Sequence, residues 1–393
     1  MPPPERLHTT AMATDGRAVA RTASGKVVFV DGALPGETVD VELLTDRAHY
    51  TEGRVVDVLS PSPERIRPPC PRLAEGCGGC QWQHVSADGQ RRLKETMIAE
   101  ALRRIGRVQD VDLAPTVHLG PWHWRTTIRA GIVDGRAALR RGQSHDLVPI
   151  RGCLIAHPLL VPLLDGRRYP GASSVVLRCG DRTGERLVAT APVGAAVDVP
   201  ADVEHRYFHE EAAGRRWRVS AASFFQSRPD GADALASLVS AAAAEGRTEG
   251  SSRPRAVDAY SGVGLFAGAL AEQGWSVVAV EGSRSSVSDA RRNLRDLPVQ
   301  VVRADLTRWR PVPADLVVAD PSRAGLGTRA AAALTSTGAA RIVLISCDVA
   351  SLGRDAGLLS GAGYGLTSVT PVDMFPQTWH VEVVSVFDRV RSV

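Results

Sequence analysis

From Arg255 onward the chain alternates short β-branched runs with helix-spaced ones, a pattern that leaves room for little besides a parallel sheet covered by helices. Ala256 to Tyr260 reads as a first strand, Ser261-Gly262-Val263-Gly264 as a tight turn into a helix starting near Leu265, and Ser276 to Val280 as a second strand ending in Glu281. A third strand precedes Asp305, and a fourth, Leu316 to Ala319, runs into D-P-S-R-A-G at 320–325. Ile342 to Ser346 reads as a buried parallel strand ending at Cys347, with helical character from Ala350 to Leu359. A last apolar run, Val381 to Phe387, follows the polar corner Gln377-Thr378-Trp379-His380 and carries Glu382 near its start. Open α/β sheets bind ligands beyond the carboxyl ends of their strands, so a thiol and three acids at those ends are placed for chemistry. A carboxylate at Glu382 can then face Cys347.

The turn and the acids indicate what the sheet holds. Gly262 and Gly264 let backbone approach a nucleoside closely, Glu281 is placed to accept ribose hydroxyls, and Asp305 to meet an adenine amino group. Asp320 can face a cation, which makes S-adenosylmethionine the best fit. Gly262-x-Gly264-x-x-Ala267 also matches the dinucleotide fingerprint, so a NAD-linked oxidoreductase stays open. A lone cysteine at a strand end is usually an inert small hydrophobe. Joined to Glu382 and the cofactor acids, Cys347 reads instead as a nucleophile.

A chain of 393 residues is too long for one core, and three segments are expected: 1–62, 63–222 and 223–393. Between Ala11 and Ser62, short alternating runs broken by turn signals predict a small all-β barrel of OB-like size. Five prolines between Pro61 and Pro71 predict a stiff connector. Cys70, Cys77 and Cys80 follow in C-P-R-L-A-E-G-C-G-G-C, with Cys153 a better fourth ligand than Cys179, which sits within a strand-like run. Four thiolates suit zinc or an iron–sulfur cluster, and the spacing departs from the paired C-x-x-C of a zinc ribbon.

The helix expected over Asp88 to Ile105, free to dock on the third segment, has Arg91, Arg92, Lys94, Arg103 and Arg104 around an apolar side. After it, Trp122-His123-Trp124-Arg125, Arg129, Arg136, Arg140 and Arg141 interleave rings with cations. Unpaired bases stack on rings while arginines hold phosphates, so this middle segment reads as a mixed α+β RNA-binding domain. Phe224, Phe225 and Trp379 are further stacking candidates beside the catalytic mouth. Arg151 to Trp217 shows no site. The composition, 44% apolar and 23% charged with net charge +4, excludes a disordered chain. No apolar run is long enough to cross a membrane, and a cytoplasmic location with reduced cysteines is expected.

These residues resemble the uracil-C5 RNA methyltransferase family with an N-terminal TRAM domain. The likeness rests on C-G-G-C-Q-W-Q-H at 77–84, S-F-F-Q at 223–226, D-x-Y-S-G-V-G-L-F at 258–266, D-P-S-R-A-G at 320–325, S-C at 346–347 and D-M-F-P-Q-T-W-H-V-E at 373–382. The resemblance implies a TRAM barrel, a central iron–sulfur and RNA-binding domain, and a Rossmann-like class I S-adenosylmethionine methyltransferase domain. It implies Cys347 as nucleophile and Glu382 as general base. Gln226, Tyr260, Glu281 and Asp320 become cofactor contacts, with Asp305 near the adenine. Cys70, Cys77, Cys80 and Cys153 become ligands of a [4Fe–4S] cluster. The implied partner is RNA with a flipped, unpaired uridine, ribosomal RNA ahead of tRNA, worked on by a monomer.

The chain departs from the family pattern at Ser261, at Ser322 and, most seriously, at Cys347-Asp348-Val349. Asp348 puts a carboxylate beside the thiol, where it is expected to raise the thiol pKa. That departure keeps open a catalytically silent RNA-binding protein.

Overall fold

In a computed structural model the described residues are 3–142, 144–246 and 254–390. Residues 1–2 and 391–393, the outer limits of the first and third expected segments, lie outside them. Five strands, Glu5–Met12, Ala18–Arg21, Val27–Asp31, Thr38–Asp46 and Tyr50–Ser60, close into a barrel. Alternation along each strand sends Leu7, Ala18, Ala20, Val28, Val30, Val39 and Val41 inward. Closure removes the free strand edges that a small sheet would otherwise expose. The buried Glu37 ties the barrel to the proline-rich connector, accepting from the Ser62 N–H (3.0 Å) and from Arg65 Nη2 (2.7 Å).

The middle segment forms a six-stranded sheet in the order Val203–Glu204, Arg186–Ala191, Ser174–Cys179, Thr127–Val133, Arg136–Arg140, Leu147–Pro149. Its core holds Ile128, Leu139, Leu163, Tyr169 and Leu177. Two pieces of the expected 63–222 segment pack elsewhere. The hairpin of Tyr207–Ala212 and Arg215–Ser220 places Phe208, Trp217 and Val219 in one core with Ala267, Leu270 and Val343. The helix Ala87–Arg104 buries Met97, Ile98, Ala101 and Leu102 against Leu352 and Ala356 of the helix Val349–Gly361. Strand alternation shows that a face is apolar without showing what will cover it, so local pattern misplaces the hairpin, whereas the helix docks on the third segment as its expectation allowed.

The helix also corrects the reading of its charges. Lys94, expected on the basic rim, is 2% exposed, and its ammonium donates to Asp373 Oδ1 (2.7 Å) and to the Phe375 carbonyl (3.2 Å). Arg91, Arg92, Arg103 and Arg104 pair with Asp88, Glu64 and Glu100. Those four guanidiniums are matched by local carboxylates.

The third segment is built on a seven-stranded sheet in the order Val299–Arg303, Ser276–Glu281, Arg255–Ala259, Leu316–Ala319, Arg341–Ser346, Glu382–Arg389, Tyr364–Val372. The first five strands run parallel, and Glu382–Arg389 is antiparallel to both neighbours. Strand order reverses between Arg255–Ala259 and Leu316–Ala319, the switch point at which such sheets open a ligand crevice. Tyr260 and Asp320 leave the sheet there side by side, the Asp320 N–H donating to the Ala259 carbonyl (3.3 Å). No helix among the described residues is long and apolar enough to cross a membrane.

Candidate active site

The glycine turn is shaped by what it must pass. Gly264 has φ +104°, and a Cβ there would fall on the Leu294 side chain, so only glycine closes the turn onto the helix Leu265–Glu272. Gly264 stands behind the lining of the cavity that the turn overhangs. Glu281 is fixed by two backbone donors, the Gly262 N–H to Oε2 (2.9 Å) and the Ser283 N–H to Oε1 (2.6 Å). Beneath the turn, Asp258 is fully buried and accepts from the Ala267 N–H (2.8 Å). Its Oδ1 has no partner among the described residues, and burial holds its carboxyl well above the usual carboxylate range.

A cavity of about 590 Å³ opens over these strand ends, lined by Gln226, Tyr260, Gly262, Glu281, Asp320, Cys347 and Glu382 among others. Seven of the nine residues singled out for catalysis or cofactor binding in the sequence therefore meet in one space. Asp305 is the other exception. It lies in an adjoining cavity of about 630 Å³ that shares Tyr260 and Glu281 with the first, and its carboxylate accepts from the Thr307 N–H (2.9 Å) and hydroxyl (2.8 Å). Tyr260 and Glu281 thus form a wall common to two lobes.

Electrostatics distinguish the end of the cavity that holds the thiol. Burial first, then the carboxylates of Glu382 and Asp320, pushes the Cys347 thiol up to about 12, with Arg323 opposing. Burial, then Asp320, holds Glu382 well above the ordinary range, again against Arg323. Burial pushes Asp320 up to about 7, opposed by the hydrogen bond that Gln226 Nε2 donates to its Oδ2 (3.2 Å). His380, in the same lining, is pushed down to about 3 by burial and by the cations Arg323, Lys94 and Arg125, so it is neutral. Among these groups Arg323 is the cation that opposes both the thiol and the base. Its position within D-P-S-R-A-G was its only signal in the sequence.

Asp348 behaves differently from the sequence expectation. Its carboxylate accepts from the Ser351 N–H (2.8 Å) as the N-cap of the helix Val349–Gly361. The negative charge is directed to the positive end of a helix, where it is favourable.

A further cavity of about 440 Å³ continues from the first, sharing Phe224, Phe225, Arg323, Phe375 and His380, and extends past Arg125 and Arg129 to the Gly78-Gly79 backbone. Phe224 is 64% exposed at the join, whereas Phe225 belongs to the core. Trp124 is buried edge-on to Phe375 (5.9 Å between centroids), so it forms wall rather than free platform. Beyond Gly79, Cys70, Cys77, Cys80 and Cys153 line one pocket together with Arg125. Burial raises the thiols of Cys77, Cys80 and Cys153, Cys80 to about 12. No three His, Cys, Asp or Glu side chains among the described residues are arranged to hold a metal ion.

Comparison with known proteins fits this geometry. Residues 9–56 match the TRAM domain family. The solved Pyrococcus abyssi tRNA (uracil-54, C5)-methyltransferase, in complex with S-adenosyl-L-homocysteine, superposes with a TM-score of 0.75 over 97% of this chain and 99% of its own, at 22% identity. The 23S rRNA (uracil(1939)-C(5))-methyltransferase RlmD of Shewanella halifaxensis is 29% identical, covering 93% of this chain and 91% of its own. An RNA methyltransferase of Streptomyces avermitilis is 34% identical, with 96% of each chain covered. Similarity of that extent, running through barrel, middle sheet and catalytic sheet alike, makes this chain a member of the RNA methyltransferase family.

Proposed function

We propose that the protein is an S-adenosylmethionine-dependent RNA (uracil-C5)-methyltransferase that makes 5-methyluridine, acting on ribosomal RNA ahead of tRNA. The observation that carries this reading is the single cavity shared by Cys347, Glu382 and the acidic strand ends. Uracil C5 is a weak nucleophile. Attack of the Cys347 thiolate on C6 would saturate the C5–C6 bond and leave an enolate, whose C5 takes the methyl group. Glu382 then removes the C5 proton, the C5–C6 double bond reforms, and the C6–S bond breaks to return the thiolate.

The residues present fit the methyl donor. Asp320 and Glu382 are acids held above their ordinary range around one space, and a cation entering it relieves that cost. Tyr260, Gly262, Glu281 and Asp305 would hold the nucleoside across the two lobes, and Gln226 with Asp320 the end nearest the thiol. Bound there, S-adenosylmethionine supplies an electrophilic methyl group and a positive sulfur that offsets the carboxylates raising Cys347. The cavity running past Phe224, Arg125 and Arg129 supports an unpaired RNA strand as substrate, since a uridine must leave its stack to be reached on both faces.

Cys70, Cys77, Cys80 and Cys153 line one pocket and, as thiolates, would be the ligands of a [4Fe–4S] cluster, although among the described residues no three of them are arranged to hold a metal ion. Its contribution there would be to cross-link the segments that wall the RNA path, as the reaction has no redox step. Transfer of a labelled methyl group to ribosomal and transfer RNA, followed by digestion to nucleosides, tests the reading. Label in 5-methyluridine supports it, and label in another nucleoside, or none, contradicts it.

A further inference from the structure

The barrel meets the catalytic segment closely at Gly16. Its turn between Ala13 and Arg17 is closed by the Ala13 N–H to Arg17 carbonyl bond (2.8 Å) and the Gly16 N–H to Ala13 carbonyl bond (3.0 Å). Gly16 has φ +79° and lies flat against Trp379, so that a Cβ at Gly16 would overlap the Trp379 Cβ and indole ring. Trp82 Nε1 donates to the Gly16 carbonyl (3.1 Å), and the Trp82 N–H donates to the Gln377 carbonyl (3.0 Å). The Trp379 ring in turn lies on His380 at 3.9 Å between centroids. His380 and Glu382 line the same cavity.

We infer that this barrel turn is a positioning element for the catalytic base: Gly16 seats Trp379, and Trp379 through His380 fixes where Glu382 stands. The barrel then supports the active-site wall from behind, since none of its residues lines the cavity. Gly16 acts through other residues and touches no reacting atom. The chain between Gln377 and Glu382 needs such a brace because Gln377 takes a left-handed φ of +70° and much of that stretch lies outside any strand. Gln90 adds a clamp at the start of the stretch, its Oε1 accepting from the Gln377 N–H (2.8 Å) and its Nε2 donating to the Trp82 carbonyl (3.1 Å). Brace and clamp are thus linked through Trp82.

The inference rests on the proposed role of Glu382, and its test separates the two. Full-length wild type, Gly16→Ala and Gly25→Ala are compared at saturating RNA and S-adenosylmethionine, reading tritium release from RNA carrying [5-³H]uridine. Gly25 shares the left-handed backbone (φ +85°) but faces open space, so it controls for the strain of the substitution itself. The expected result is a tenfold or greater loss of rate for Gly16→Ala, RNA affinity within twofold of wild type, and Gly25→Ala unchanged. Hydrogen exchange at Gln377 to Glu382 should rise in Gly16→Ala alone. Trp82→Phe, which keeps an aromatic side chain and drops the bond to Gly16, should shift both readouts in the same direction, and decides the matter if Gly16→Ala does not fold. Unchanged rate and exchange in Gly16→Ala, or in Trp82→Phe where it stands in, overturn the positioning role, as does a loss confined to RNA affinity. No tritium release from wild type overturns the uracil-C5 reading instead.

Discussion

Cys347 and Glu382 flank the last residue pair of an antiparallel ladder, Ser346 opposite Val383, so the thiol leaves one strand where the carboxylate enters the next. Both open into the same cavity although Glu382 is only 3% exposed. Sheet register, rather than a flexible loop, sets their approach.

That register gives the two residues separable roles. Glu382→Gln keeps the shape and removes the base, so C5 proton removal should slow by about 10²- to 10⁴-fold. Attack and methyl transfer remain possible. The methylated RNA–protein adduct should therefore accumulate on a denaturing gel, and free 5-methyluridine forming at the wild-type rate would exclude Glu382 as the base.

Asp320 predicts a pH dependence for ligand choice. Its folded pKa is raised to about 7, so the folded protein binds this proton more tightly than the unfolded chain does. The resulting contribution to stability is fully present below the ordinary carboxylate range and is lost as pH rises through about 7. A positive sulfur beside the ionised carboxylate reverses that loss, and a neutral thioether does not. The affinity of S-adenosylmethionine relative to S-adenosylhomocysteine should rise about tenfold between pH 5.5 and 8, the effect of one pKa unit. Calorimetry checks this, and Asp320→Asn should flatten the trend.

Asp348 is predicted to matter for stability more than for chemistry. Asparagine caps a helix as well as aspartate does, so Asp348→Asn should leave turnover within about threefold of wild type, while Asp348→Ala should lose ~1 kcal/mol of stability. Thermal unfolding with parallel rate measurements distinguishes the two. A large gain in rate for Asp348→Asn would mean that the carboxylate does burden the thiol.

The four cysteines are predicted to serve folding. Cys77→Ser should lower the yield of folded protein and the affinity for RNA before it alters the chemical step, and anaerobically purified wild type should contain about four irons per chain. Iron analysis beside RNA binding checks this. A well-folded, iron-free Cys77→Ser protein with full activity would dismiss the cluster.

The catalytic sheet was legible because each chemical residue stands at the end of an apolar run, and a run of β-branched residues marks its own end. Glu281, Asp320 and Cys347 were picked out that way, whereas Tyr260 was named only through the family resemblance. What the sequence hid was tertiary. Lys94 is buried because Asp373, far along the chain, comes to meet it, and nothing near Lys94 marks it apart from its arginine neighbours. Trp379 was read as a stacking surface, yet it is pressed beneath a barrel turn contributed by the first residues of the chain. The Tyr207–Ser220 hairpin alternates as any hairpin does, and only the fold shows that its Trp217 ring lies over Gly268 in the catalytic core.

The most direct test of the account is a trap on the thiol. RNA carrying 5-fluorouridine at the target position, incubated with the protein and S-adenosylmethionine, lacks the C5 proton that releases the enzyme. The account predicts a covalent complex that survives denaturation, joined through Cys347 by peptide mass, and absent from Cys347→Ala. Methylation of normal RNA by Cys347→Ala at the wild-type rate, or a complex joined through another residue, would contradict it.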